Sequence, residues 1–108
     1  MKICVTSTGP GLDSPVDPRF GRCPYFIIVD PETMEYEAVA NQSADASGGA
    51  GVQAAQTVAE KGVSVVVTGH VGPNAVPVLD AAGIRSLTDA SGTVRDAVVQ
   101  YRDGKLDV

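Results

Sequence analysis

The stretch Asp17-Pro18-Arg19-Phe20-Gly21-Arg22-Cys23-Pro24 gathers two guanidiniums, an aromatic ring, a glycine and a thiol within eight residues. Arginine forks suit the oxygens or sulfurs of carboxylate, phosphate or thiometallate groups. A thiol following Arg22 in a Gly- and Pro-rich loop is expected to be partly exposed and somewhat thiolate-like. As such it could ligate a soft metal. The same residues also have a structural use. Arg19 can pair with Asp17 or a backbone carbonyl to fold the loop, and Phe20 can plug the core. Both readings stay open for the arginines. Cys4, inside an apolar run, reads as a small core residue.

A second candidate is Gly49-Ala50-Gly51-Val52-Gln53-Ala54, which fits the letters G-x-G-x-x-A. As a dinucleotide fingerprint it is weak. The polar stretch Asn41 to Ser47 separates it from the preceding strand, and some twenty residues on stands His70 rather than a ribose-binding acid. The physics outlives the nucleotide: glycines opening a helix leave N–H groups and the helix dipole facing an anion. A plain loop-to-helix turn is the alternative. Arg19, Arg22, Cys23, Asn41, Gly49, Gly51, His70 and Asn74 are therefore the candidate cofactor-binding residues. Cys23 and His70 are the candidate metal ligands. Cys23 with His70 could also be read as a nucleophile–base dyad, but no third group orients the pair and no carboxylate pair sits among apolar residues. A non-catalytic binding protein is the expectation.

The elements that must position these residues follow from periodicity and turn chemistry. Ile3 to Thr6 reads as a buried strand and Tyr25 to Val29 as a continuous apolar one. Asp30-Pro31 opens a type I turn, and Met34 to Ala40 returns as the second strand of a hairpin. A helix is expected from about Gly51 to Lys61, with Val52, Ala55, Val58 and Ala59 inward and Gly62 as its stop. Val63 to Thr68 reads as a central strand. A helix beginning at Pro73, or capped by Asn74, runs to Ala82. Ile84 to Leu87 is a short strand. Thr93 to Arg102 is a helix with a Thr93/Asp96 capping box and Val94, Ala97, Val98 and Tyr101 inward. The order β-β-β-α-β-α-β-α predicts a mixed five-stranded sheet, order 3-2-1-4-5, with strand 2 antiparallel to the rest. Three Gly- and polar-rich loops, Ser7 to Pro24, Asn41 to Ala50 and Gly69 to Asn74, then meet at one end of that sheet. That end is where open α/β sheets bind ligands.

Composition limits the function classes. A chain of 108 residues suits a single domain spanning 1–108. With aromatics at 5% and no Trp, the core must come from Val, Ala, Ile and Leu. A net charge of −5 argues against non-specific nucleic-acid binding and against docking on an anionic membrane. Val63 to Val67, interrupted by Ser64, is far too short to span a bilayer. Lys2 to Thr8 holds no apolar signal-peptide region. The expected location is the cytoplasm, with both cysteines reduced.

Three motifs occur together and in order: Asp17-Pro18-Arg19-Phe20-Gly21-Arg22-Cys23, Gly48-Gly49-Ala50-Gly51-Val52-Gln53-Ala54-Ala55, and Thr68-Gly69-His70-Val71-Gly72-Pro73-Asn74-Ala75. Gly83-Ile84 and Gly104-Lys105-Leu106 follow. In this combination the chain resembles the dinitrogenase iron–molybdenum cofactor biosynthesis family, the NifX-type domain, over essentially its whole length. The resemblance implies a ribonuclease-H-like α/β fold. It also implies non-catalytic carriage of an iron–sulfur or molybdenum-containing cluster, with cluster donor or acceptor proteins as partners. The chain has no Cys-x-x-Cys and no His pair, so loose, mainly electrostatic docking of a preformed anionic cluster suits it better than tight coordination. The net negative charge opposes an anion only at long range, because salt screens beyond roughly 8 Å. The competing expectation is a regulatory or interaction domain that holds a small organic or phosphate anion.

Overall fold

Strands rich in β-branched residues form the centre, and the helices cover both of its faces. The structure, a computed structural model, describes residues 1–44 and 49–105. Residues 45–48 of the polar loop, including Gly48 of the second motif, and Leu106 of the terminal motif lie outside the described residues. In chain order the elements are β1 (Ile3–Ser7), β2 (Tyr25–Val29), β3 (Tyr36–Ala40), α1 (Ala50–Glu60), β4 (Val65–Val67), α2 (Val76–Ala81), β5 (Arg85–Leu87) and α3 (Val94–Arg102). The sheet order is β3-β2-β1-β4-β5. β2 runs antiparallel to β1 and β3, while β1, β4 and β5 are parallel. The expected topology is what forms.

β1 is buried along its whole length, as a strand flanked by neighbours and covered on both faces must be. Its alternation splits the core in two. Ile3 and Val5 face α3 together with Ile27, Val29, Val67 and Leu87. Cys4 faces α1 and α2 together with Phe26, Ile28 and Val66. Ala54, Ala55 and Val58 form the tight inner stripe of α1, which lets the helix lie close on β-branched residues. Val52 and Ala59, expected on that stripe, are only half-buried.

Several boundaries differ from expectation: β4 is Val65–Val67 rather than Val63 to Thr68, β1, β5 and the end of α1 shift by one residue, and three further differences have a local cause. β3 starts at Tyr36, not Met34, because Met34 is left-handed (φ 65°) and belongs to the turn. Its N–H donates to Asp30 O at 2.8 Å, and Asp30 N–H donates to Glu35 O at 2.9 Å, closing the hairpin. α2 starts at Val76, because Gly72 to Ala75 fold into a turn closed by Ala75 N–H to Gly72 O (3.1 Å). Pro77 then falls in the first helical turn, where its missing N–H removes no helical bond, and Asn74 caps nothing. α1 gains Ala50 and has Gly49 as its N-cap. The α3 capping box is present: Asp96 N–H donates to Thr93 Oγ1 and Thr93 N–H to Asp96 Oδ2, both at 3.1 Å.

Candidate functional site

The carboxyl ends of β1, β3 and β4 and the start of β2 share one end of the sheet, and the loops found there fold onto each other backbone to backbone. Asp17 starts the construction. Its N–H donates to Thr6 O (3.0 Å). Thr6 Oγ1 lies 2.6 Å from Asp17 O and 2.7 Å from Thr68 Oγ1. With one proton to give, Thr6 donates to the carbonyl and accepts from Thr68. The Asp17 carboxylate is buried and accepts from Arg19 N–H (2.9 Å), Nε (3.2 Å) and Nη2 (3.1 Å). Burial works to raise this carboxyl, but the Arg19 hydrogen bonds and charge overrule it and leave it below the ordinary carboxylate range. Arg19 thus folds the loop through Asp17, the structural use open to it in the sequence, while its side chain stays mostly exposed.

Two glycines then allow contact that no side chain would permit. A Cβ on Gly69 would sit 2.7 Å from Pro18 Cα, so the β4 loop and the arginine loop touch main chain to main chain. Phe20 N–H donates to His70 O (3.2 Å) in that seam, and the Phe20 ring is buried beside Phe26, centroids 6.1 Å apart. Gly21 is left-handed (φ 99°), and a Cβ there would lie 2.9 Å from Gly51 Cα. This second close approach sets the arginine loop directly over the N-terminus of α1.

Between these parts opens a cleft of about 320 Å³, lined by residues 20–22, 49–51 and 72–75. Arg22 is its one charged lining residue among the described residues. The cap of α1, Gly49, is left-handed (φ 74°) and supplies no side-chain bond, and the first turn holds no acid. The first intrahelical bond is Gln53 N–H to Gly49 O (2.9 Å). The N–H groups of Ala50, Gly51 and Val52 therefore precede the helical ladder and carry the positive end of its dipole.

The eight candidate residues separate into groups. Arg22, Gly49, Gly51 and Asn74 line the cleft. Asn41 lies beneath the arginine loop. Its Nδ2 donates to Gly21 O (3.0 Å) and Cys23 O (2.8 Å), and its Oδ1 accepts from Ser43 N–H (3.1 Å). Arg19 and His70 meet across the loop seam as a bridge, outside the lining. Cys23 corrects an expectation: it is buried, not partly exposed. Burial pushes its thiol up to about 12 and Asp17 adds to the rise, against backbone hydrogen bonds at Gly21, Ser7 and Cys23 itself that pull it down. The neighbouring Arg22 does not make it thiolate-like, because adjacency in sequence put the thiol in the core and the guanidinium on the surface. Cys4 is likewise buried and pushed well above the ordinary thiol range, first by burial and then by Cys23. Among the described residues no group of three or more His, Cys, Asp or Glu is arranged to hold a metal ion. Sequence reading missed Phe20, Gly21, Ala50, Gly72, Pro73 and Ala75 as lining. The visible signal was the turn Gly72-Pro73-Asn74-Ala75 in the loop that follows β4, since such a turn presents backbone rather than side chains.

Residues 1–104 match the model of the dinitrogenase iron–molybdenum cofactor family, and the chain belongs to that family. Among solved structures it is similar to the apo form of the orange protein from Desulfovibrio gigas. The identity is 49%, with 96% of this chain and 88% of that one covered, at a TM-score of 0.92. A putative NifB protein from Thermotoga is 38% identical, over 96% of this chain and 89% of that one, at a TM-score of 0.83. An uncharacterized protein of Methanocaldococcus jannaschii is 28% identical over 99% of this chain and 90% of its own length. Among the described residues no helix is long and apolar enough to cross a membrane.

Proposed function

We propose that the cleft binds and carries a preformed anionic iron–sulfur or molybdenum-containing cluster, without catalysis and without a protein thiolate. One observation carries this reading: among the described residues, a helix N-terminus with no side-chain cap and no acid in its first turn shares a cleft with Arg22, while both thiols are sealed in the core. A cargo held there must bring its own ligands and its own negative charge. Hydrogen bonds from N–H groups and a guanidinium to sulfide or oxide edges hold such a species loosely, as a carrier requires. Family membership favours a metal cluster over an organic anion. Proteins that donate or accept the cluster are the partners this role demands. Coordination by Cys23 would require the arginine loop to open, His70 is exposed but outside the cleft lining, and Asn41 acts here as a brace for that loop.

The test uses tetrathiomolybdate as probe, titrated into the protein and followed by visible absorption. Arg22→Ala should weaken binding by roughly tenfold to a hundredfold, the range for losing one charge-assisted hydrogen bond. Cys23→Ser should leave it within about twofold. Equal binding by Arg22→Ala would refute the reading, and a large loss in a folded Cys23→Ser would restore thiolate ligation. Orthophosphate displacing the probe at equal concentration would favour the small-anion alternative.

A further inference from the structure

We propose that the outer edge of β3 is a docking site for an extended, basic segment of a partner protein, which joins the sheet as a sixth strand. The inference does not depend on what the cleft carries. Its basis is the direction of the main chain. Asp30 N–H donates to Glu35 O and Asn41 N–H to Pro24 O, both at 2.9 Å, on either side of the register Ile28↔Glu37 and Phe26↔Val39. Antiparallel pairs alternate, so residues 35, 37, 39 and 41 turn their main-chain groups toward β2. Tyr36, Ala38 and Ala40 turn N–H and C=O outward. All three are also exposed, and among the described residues β2 is the one strand alongside them. Exposed edges are commonly blunted by shortness, Pro or Lys. The opposite edge, β5, has three residues. β3 has five and none of those devices.

Charge selects the occupant. Glu35 and Glu37 lie two apart on the α1 side of the hairpin, where a cavity of about 280 Å³ is lined by Lys2, Ile28, Asp30, Glu35, Tyr36 and Glu37. A second copy of this chain paired about Ala38 would set the two Glu37 side chains on diagonal positions of one face, and like charges there repel. A strand with Lys or Arg at alternate positions instead places them opposite Glu35 and Glu37. Those are the non-hydrogen-bonded pairs, where side chains approach most closely. Main-chain bonds would supply affinity and the alternating charges specificity.

The probe is a capped peptide alternating Lys and Thr, titrated into the nitrogen-15-labelled protein. Saturable amide shifts are expected at Tyr36, Ala38 and Ala40, with slowed hydrogen exchange at the same three. A peptide of equal composition with its lysines grouped at one end should bind about tenfold more weakly, because the alternation is lost. Ala38→Pro removes an outward N–H at an edge position, where proline is tolerated, and should also cost about tenfold. If that variant does not fold, N-methylation of alternate peptide amides tests the same bonds from the other side. Shifts centred on the cleft, equal binding by the proline variant or the methylated peptide, or absence of saturable binding at millimolar peptide would each overturn the proposal. So would self-association of the protein through β3.

Discussion

The two cavities are of similar size, about 320 and 280 Å³, and opposite in character. The cleft at the carboxyl ends of β1 and β4 is built from backbone: a helix N-terminus, two loops in main-chain contact, and Arg22 as its charge. The far cavity is built from side chains, with Asp30, Glu35 and Glu37 against Lys2. A net charge of −5 therefore says little about either site, because among the described residues no Asp or Glu lines the cleft. A site made of backbone depends on loop geometry, and a site made of exposed charges tolerates substitution. Changes at the cleft end should cost folding energy and changes at the far end should not.

The sharpest way to break that contrast is Gly21→Ala. Its Cβ would face Gly51 Cα at 2.9 Å from a backbone at φ 99°. Left-handed strain and overlap together should cost about 2–4 kcal/mol and abolish tetrathiomolybdate binding. Glu35→Lys at the far end should change stability by less than about 0.5 kcal/mol. Thermal melts of the two variants compare them directly, and equal melting temperatures would dissolve the distinction.

The next effect concerns pH. Asp17 is held below its unfolded value, so its contribution is present above the ordinary carboxylate range and is lost as pH falls through its lowered folded value. Cys23 is held above its unfolded value. Its contribution is full below the ordinary thiol range and declines as pH rises from there toward about 12. Asp17→Asn should flatten the acid arm of a stability–pH curve, and Cys23→Ala the alkaline arm. In the native protein both thiols should resist iodoacetamide and react together on unfolding. Fast labelling of Cys23 alone would contradict its burial.

How much of this was legible in the sequence varies with the kind of physics involved. Strand order and the direction of β2 follow from local pattern: an Asp-Pro turn between two strands, then two strand–helix alternations. The meeting of Arg22 with Gly49 and Gly51 was legible too, because topology brings those loops to one end. Cys23 was misread because it follows Arg22 in a Gly- and Pro-rich loop, whereas Cys23 N–H closes a turn onto Arg19 O at 3.1 Å and the side chain joins the core cluster that also holds Phe20 and Phe26. The bracing role of Asn41 was not legible, since both its Nδ2 hydrogen bonds go to carbonyls distant in sequence. Loop-on-loop contact leaves no periodic trace. The register that turns Tyr36, Ala38 and Ala40 outward was equally hidden, because it depends on Met34 adopting a left-handed turn.

The smallest effect refines the far end. Lys61, the C-cap of α1, pairs with Glu37 at 3.2 Å, and both side chains are substantially exposed. Exposed pairs of this kind contribute about 0–1 kcal/mol, so Lys61→Ala should leave the melting temperature almost unchanged. It would, however, remove the cation that already satisfies Glu37. A basic strand docking on β3 must compete with Lys61 for that carboxylate, so the variant should bind the alternating Lys–Thr peptide about two- to threefold more tightly, an advantage that fades as salt screens it. Tetrathiomolybdate binding should not move, because the cleft is at the other end of the sheet, beyond the screening length at physiological salt. Parallel titrations of both probes against this one variant measure the independence of the two ends. A matched change in both affinities would mean that α1, whose N-terminus faces the cleft and whose C-terminus reaches Glu37, couples them.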